Sequence, residues 1–236
     1  FAEVSGQSRA TWDSDLYQLE DEAAAREVLH RRYAAVVGNP PYIAPKDHAR
    51  SQQYQAMYPS ARRKYALTIP FAERFFQLAC ARGTVGMITA NSFMKREFGK
   101  TLIEDYLPSV NLDLVINTSG AYIPGHGTPT VLLFGTAEAA QGKQVHSVLA
   151  SRGEPSTPDD AEQGVVWRSI ADHWSETGFE NEYISVTEVE RTSLARHPWS
   201  LGGGGASELL ELLGERSAGR LGRRPVLRGP HRPHRR

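Results

Sequence analysis

The chain has 236 residues, 40% hydrophobic and 23% charged, with a formal net charge of zero and one cysteine, Cys80. That composition supports a buried core and one or two domains. It excludes an internal disulfide, a zinc site of ordinary Cys/His spacing and an apolar run of the roughly 20 residues that a membrane span needs. The zero charge conceals an asymmetry: residues 214–236 hold eight arginines and one acidic residue, while the rest holds 19 basic and 26 acidic groups. A uniformly basic nucleic-acid surface is therefore not offered. The first residues are mixed and polar, unlike a signal peptide, and a reducing, cytoplasmic setting without membrane contact is expected.

Residues 1–12 read as a loop. Residues 13–32 predict a helix, with Leu16, Leu19, Ala23, Val28 and Leu29 as an apolar stripe among Glu and Arg. The short apolar run 33–37 predicts a strand buried on both faces, ended by Gly38. A loop is expected from Pro40 to about Arg63. Residues 65–82 predict a helix with Tyr65, Ile69, Phe75, Phe76, Leu78 and Ala79 inward, Pro70 in its first turn or at a kink, and Arg82-Gly83 as its close. Cys80 then falls on the apolar helix face as inert core. Residues 84–89 predict a second buried strand and 90–96 a loop. Residues 95–107 predict a helix stopped by Pro108. Residues 112–116 and 130–134 predict strands, separated by a Gly/Pro-rich loop.

This order is the signature of an α/β fold with a partial doubly wound, Rossmann-like sheet. The short link between the last two strands permits an antiparallel pair there. In such sheets ligands sit beyond the carboxyl ends of the strands, so Asn39, Asn91 and the loop of Tyr122 share one expected cleft. After residue 136 the pattern weakens into a less regular extension: short strands are expected at 145–149 and 165–167 and a helix at 187–195. Gly202 to Gly205 read as a flexible joint before a short helix at 206–213. Three units follow: 1–140, 141–213, and an Arg/Pro-rich tail, 214–236, expected to be disordered.

The chemistry centres on Asn39-Pro40-Pro41-Tyr42. The exocyclic amine of adenine is a poor nucleophile because its lone pair is delocalised into the ring. Two acceptors aimed at its hydrogens favour a more tetrahedral nitrogen. The side-chain oxygen of Asn39 is one acceptor and the Pro40 carbonyl the other. Pro40 and Pro41 restrict the turn, so both are held in place. Tyr42 offers a ring on which a base can stack. Such a site works by positioning and preorganised electrostatics, without a charged general base.

The run Val36-Val37-Gly38-Asn39-Pro40-Pro41-Tyr42 resembles the catalytic motif of amino-group methyltransferases that use S-adenosyl-L-methionine. Downstream, Arg82-Gly83-Thr84 through Thr89-Ala90-Asn91-Ser92-Phe93, and then Tyr122-Ile123-Pro124 through Phe134, are similar to the order found in N6-adenine DNA methyltransferases. The similarity spans residues 33–136. It is strongest to the large adenine methyltransferases of bacterial phage defence, of the phage-growth-limitation or BREX type, and extends to fused restriction–modification enzymes. The resemblance implies Asn39, Pro40, Pro41 and Tyr42 as catalytic residues. It places Tyr42 and Tyr122 on opposite faces of a flipped adenine. It implies S-adenosyl-L-methionine as cofactor, and double-stranded DNA and other phage-defence proteins as partners.

Plainer readings stand beside these. Asn-Pro-Pro can be a simple turn after a strand, and Tyr122 a hydrophobic plug. Phe93 reads as cleft wall or core, and His126 as an ordinary loop histidine. The loop carrying Lys46, Arg50, Arg62, Arg63 and Lys64, with Tyr54 and Tyr58, is either a DNA-contacting groove wall or a solvated charged loop. Protein glutamine methylation uses the same motif chemistry, and a base-binding remnant without catalysis is a further alternative. The glycine-rich turn expected to hold the cofactor is missing: upstream of Gly38 there is one glycine, Gly6, and no Gly-x-Gly. The chain is thus expected to be a fragment that does not methylate DNA alone, with its cofactor-binding residues unknown.

Overall fold

A computed structural model describes residues 22–125 and 127–203. In chain order it contains α1 (Glu22–His30), β1 (Tyr33–Gly38), α2 (His48–Met57), α3 (Thr68–Leu78), β2 (Ala79–Ala90), β3 (Asn111–Asn117), β4 (Thr130–Thr136), β5 (Gln144–Ala150), α4 (Val165–His173), β6 (Ile184–Glu190) and α5 (Arg191–Leu194). The readings made for residues 1–21, His126 and 204–236 lie outside the described residues.

The strands form one sheet in the order β1-β2-β4-β3-β5-β6. β1 and β2 are parallel, β4 is antiparallel to both β2 and β3, and β5 runs parallel to β3 and antiparallel to β6. The α/β class holds, as does the antiparallel pair β3–β4, but the sheet is mixed. β1, β2, β3 and β5 consequently point the same way, and the loops after Gly38, Ala90, Asn117 and Ala150 emerge along one edge. The β3–β5 seam is short, joined only at Leu114–His146, Val115–Ser147 and Ile116–Val148.

One sheet face carries the larger core, where Val85, Met87, Val115, Val131 and Leu133 meet Ile69, Ala72 and Phe76 of α3, together with Ile103 and Trp199. The second face packs Ile116, Val148, Ile184 and Val186 beneath Val166 and Ile170 of α4. α3 forms because its apolar residues recur at helical spacing, and Pro70 sits in its first turn, where the missing N–H has no helical partner to lose.

Several expectations are corrected. β1 is not buried on both faces: Val37 is 77% exposed, and Ala34 and Ala35 are exposed with it. The loop 40–63 contains α2, capped by the Asp47 carboxylate accepting from Ala49 N. The helix expected to reach Arg82 ends at Leu78. Arg82, at φ +63°, and Gly83 lie inside β2 where its register against β1 shifts, so they form a bulge and not a helix close. A Cβ at Gly83 would stand 2.7 Å from the Tyr33 carbonyl oxygen. Cys80 is accordingly on a strand and half-buried.

Residues 95–107 are not one helix but a chain of tight turns and a π-turn at Leu102–Tyr106, with Pro108 inside the closing turn. Gly99 lies against the Phe93 backbone, a contact that a continuous helix through 95–107 does not make. Residues 165–167 begin α4 instead of a strand, because the Glu154 carboxylate accepts from Val165 N and Val166 N and overrides the β preference of two valines. Residues 187–190 belong to β6, where Ile184 and Val186 alternate inward against β5, and only Arg191–Leu194 is helical. Gly202, expected in a flexible joint, bridges Ala150.

Candidate functional site

Gly38 is the last residue of β1, paired with Met87, and the chain must pass directly over the Phe75 ring of α3. A Cβ at position 38 would stand 2.7 Å from Phe75 Cζ, so any side chain here requires the ring to shift. Asn39 follows with its side chain exposed, Pro40 is buried, Pro41 exposed and Tyr42 half-buried. The next residue is tied down: the Ile43 carbonyl accepts from Leu67 N, at the start of α3, at 2.8 Å. The turn is thus fixed by the sheet before it, by two prolines within it and by α3 after it. No described residue hydrogen-bonds the Asn39 amide. Burial raises the pKa of the Tyr42 phenol above its ordinary value, which keeps the ring neutral.

Asn91, just past β2, donates from Nδ2 to Ser119 Oγ at 2.8 Å and from its backbone to the Pro129 carbonyl at 2.9 Å. Ser119 in turn donates to Asn117 Oδ1, and the Asn117 amide donates to the Leu201 carbonyl at 2.7 Å. The Thr118 and Thr130 hydroxyls meet at 2.7 Å. These bonds brace the base of the β3–β4 loop that carries Tyr122, which is half-buried. An open groove of about 460 Å³ lies beside it, lined by Ser119, Tyr122, Glu154, Ser156 and Thr157. The loops of Asn39, Asn91 and Tyr122 therefore lie along one sheet edge, and the groove beside Tyr122 is lined by neither Asn39 nor Tyr42. Ser119 and Asn117 gave no signal in the sequence, because isolated Ser and Asn in a loop have many plainer uses.

The five basic residues are all exposed but do not form one continuous loop. Lys46 precedes α2, Arg50 lies on it, and Arg62, Arg63 and Lys64 form a turn in which Arg63 has φ +59° and reaches Glu97 at 3.6 Å. The two tyrosines do not line a groove: Tyr58 is buried and Tyr54 packs against the core. That turn is anchored from beneath by the buried carboxylate of Glu73, which accepts from Ser60 N at 2.6 Å. Phe93 is core, edge-on to Trp199. Among the described residues no group of three His, Cys, Asp or Glu is placed to hold a metal, and no helix is long and apolar enough to cross a membrane.

The model of the Eco57I restriction-modification methylase family matches residues 3–122, which include the Asn39 turn and end at Tyr122. This chain belongs to that family. Outside the family model, it is 47% identical over 207 residues to the adenine-specific methyltransferase PglX of Streptomyces coelicolor, an alignment covering 83% of this chain and 17% of that protein. Solved structures share the fold at low identity. A modification subunit of a putative type I restriction enzyme from Vibrio vulnificus superposes with TM-score 0.53 at 11% identity, over 83% of this chain and 42% of that one. The type IIG restriction endonuclease BpuSI gives 0.51 at 13%, over 78% and 22%. This Eco57I-family chain thus spans less than half the length of the relatives to which it is compared.

Proposed function

We propose that this chain supplies the adenine-holding part of a site-specific DNA adenine N6-methyltransferase serving restriction–modification or phage defence. The observation that carries it is the Asn39–Tyr42 turn, held rigidly at the end of β1 on the same sheet edge as Tyr122. The Asn39 amide oxygen and the Pro40 carbonyl accept from the two N6 hydrogens of an adenine turned out of the helix. This withdraws the nitrogen lone pair from the ring and points it at the methyl donor. Tyr42 and Tyr122 cover the two faces of the base. Their strand ends are three spacings apart, roughly 14 Å, a distance that two tyrosine side chains and one base can bridge.

Holding the base is an electrostatic and orientational task, and no ionisable group is needed to perform it. The exposed cations Lys46, Arg50, Arg62, Arg63 and Lys64 favour a phosphate backbone over a glutamine-bearing peptide as the partner surface. Residues 1–140 are the adenine-binding half of the catalytic unit in this reading, and 141–213 begin a downstream extension. S-adenosyl-L-methionine is the methyl source proposed for the whole protein, double-stranded DNA its substrate, other phage-defence proteins its partners and the cytoplasm its location. The described residues upstream of Asn39 form α1 and β1 with no glycine-rich turn between them, so those residues do not fit a cradle for the donor.

The test is Asn39→Ala in a full-length enzyme built on this chain. Methyl transfer to adenine-containing duplex DNA should fall about a hundredfold, the scale of losing one preorganised polar contact to a reacting group. Donor binding, followed by calorimetry, should be unchanged. Equal loss of both would assign Asn39 to folding or to the donor instead.

A further inference from the structure

The Tyr122 segment is gripped by residues that lie beyond the family match. Glu154 donates its backbone N–H to the Gly120 carbonyl at 2.9 Å. Its carboxylate accepts from Val165 N at 3.0 Å and Val166 N at 2.8 Å, in the first turn of α4. Trp167, in that same turn, donates its indole N–H to the Tyr122 carbonyl at 2.7 Å. The bonds close a circuit: Gly120, Glu154, α4, Trp167, Tyr122. The approach is tight, since a Cβ at Gly120 would stand 2.7 Å from the Arg152 carbonyl oxygen.

Tryptophan suits this place because its one polar atom can only donate and its ring needs a packed surface. The half-buried Trp167 ring packs against the second-face core, which also takes in Ala121, Phe179 and Tyr183. The indole is therefore held by the sheet, and through it so is the Tyr122 peptide plane. Fixing that plane limits the directions open to the Tyr122 Cα–Cβ bond.

We infer that Glu154 and Trp167 are positioning residues for the base, acting through Tyr122. They clamp residues 120–122 from both ends so that the tyrosine ring is already aimed when adenine arrives. An unclamped loop must lose its freedom on each binding event, which weakens stacking without removing the ring. The inference rests on the proposed role of Tyr122 as the second stacking face. It brings the β5–α4 segment into substrate recognition through hydrogen bonds to the backbone of residues 120–122.

The experiment uses the 236-residue chain and a single-stranded oligonucleotide in which one adenine is replaced by 2-aminopurine, whose emission is quenched on stacking against an aromatic ring. Tyr122→Ala should weaken capture about tenfold or more and abolish the fully stacked component. Trp167→Phe removes the N–H and leaves a smaller aromatic ring in the same packing. It should weaken capture about threefold to tenfold and split the emission lifetime into stacked and unstacked populations. Glu154→Gln should shift the lifetimes in the same direction by less, and it carries the comparison if Trp167→Phe does not fold. Unaltered lifetimes in Trp167→Phe and Glu154→Gln, with Tyr122→Ala impaired, would overturn the clamp and leave base stacking standing. Tyr122→Ala without effect on the lifetimes would remove the stacking role and the clamp together.

Discussion

The two sides of the proposed adenine site are built in opposite ways. The Asn39 turn is held by two prolines within it and by α3, through Gly38 over Phe75 and a bond from Leu67 to Ile43. The Tyr122 loop is held from a distance, by Asn91 before it and by Glu154 and Trp167 after it. The first keeps its shape while α3 stays packed on β1. A loop of the second kind keeps its shape only while the sheet beyond β3 is folded. The first side of the site depends on α3, and the second reports on the extension.

Substitutions can set the two kinds of support apart. The largest effect is expected at Gly38→Val, where the new side chain collides with the Phe75 ring and the overpacking costs about 1–3 kcal/mol in chemical denaturation. Amide exchange should quicken around β1 and α3 and stay unchanged at residues 118–122. Glu154→Ala should cost about 1 kcal/mol, the usual scale for losing a helix N-terminal acceptor, and loosen α4 and residues 120–122 while the Asn39 turn keeps its protection. Protection lost equally on both sides in either variant would erase the distinction.

The smallest effect belongs to Asp113, near the far end of β3. Burial raises its carboxyl above the ordinary value, with hydrogen bonds from Thr136 and Asn111 and the charge of Arg191 opposing. A raised folded-state pKa means that stability falls as pH rises through the Asp titration. Asp113→Asn should therefore add roughly a few tenths of a kcal/mol at neutral pH, because the carboxylate is largely solvent-screened. The gain should vanish below about pH 4 in thermal melts, and 2-aminopurine capture should be unchanged on both sides of the site.

The same division explains what was legible in the sequence. Val36-Val37-Gly38-Asn39-Pro40-Pro41-Tyr42 carries its own geometry, and the runs that became β1 to β5 carry their own apolar pattern, so strands and turn were readable. Residues 165–167 were read as a strand because two valines and a tryptophan prefer one. The deciding carboxylate, Glu154, is eleven residues away and unrelated by any periodicity. Thr187–Glu190 and Arg82–Gly83 misled for the same reason: pairing with β5 fixes the former and a register shift against β1 the latter. Tyr58 looked like a groove residue because its loop is charged, yet it turns inward toward the core.

The short β3–β5 seam has a kinetic consequence. Leu114, Val115 and Ile116 are the only β3 residues paired with β5, whereas β2 and β4 pair along seven positions. Sheets open where the ladder is shortest, so amide exchange should divide the chain into two cooperative units, β1 to β4 and β5 to β6 with α4. Opening at the seam carries Trp167 away from Tyr122 while leaving Asn39 in place. In the proposed site, opening at this seam would free the Tyr122 face while the Asn39 side stays folded, so release of a base would not require unfolding of the chain.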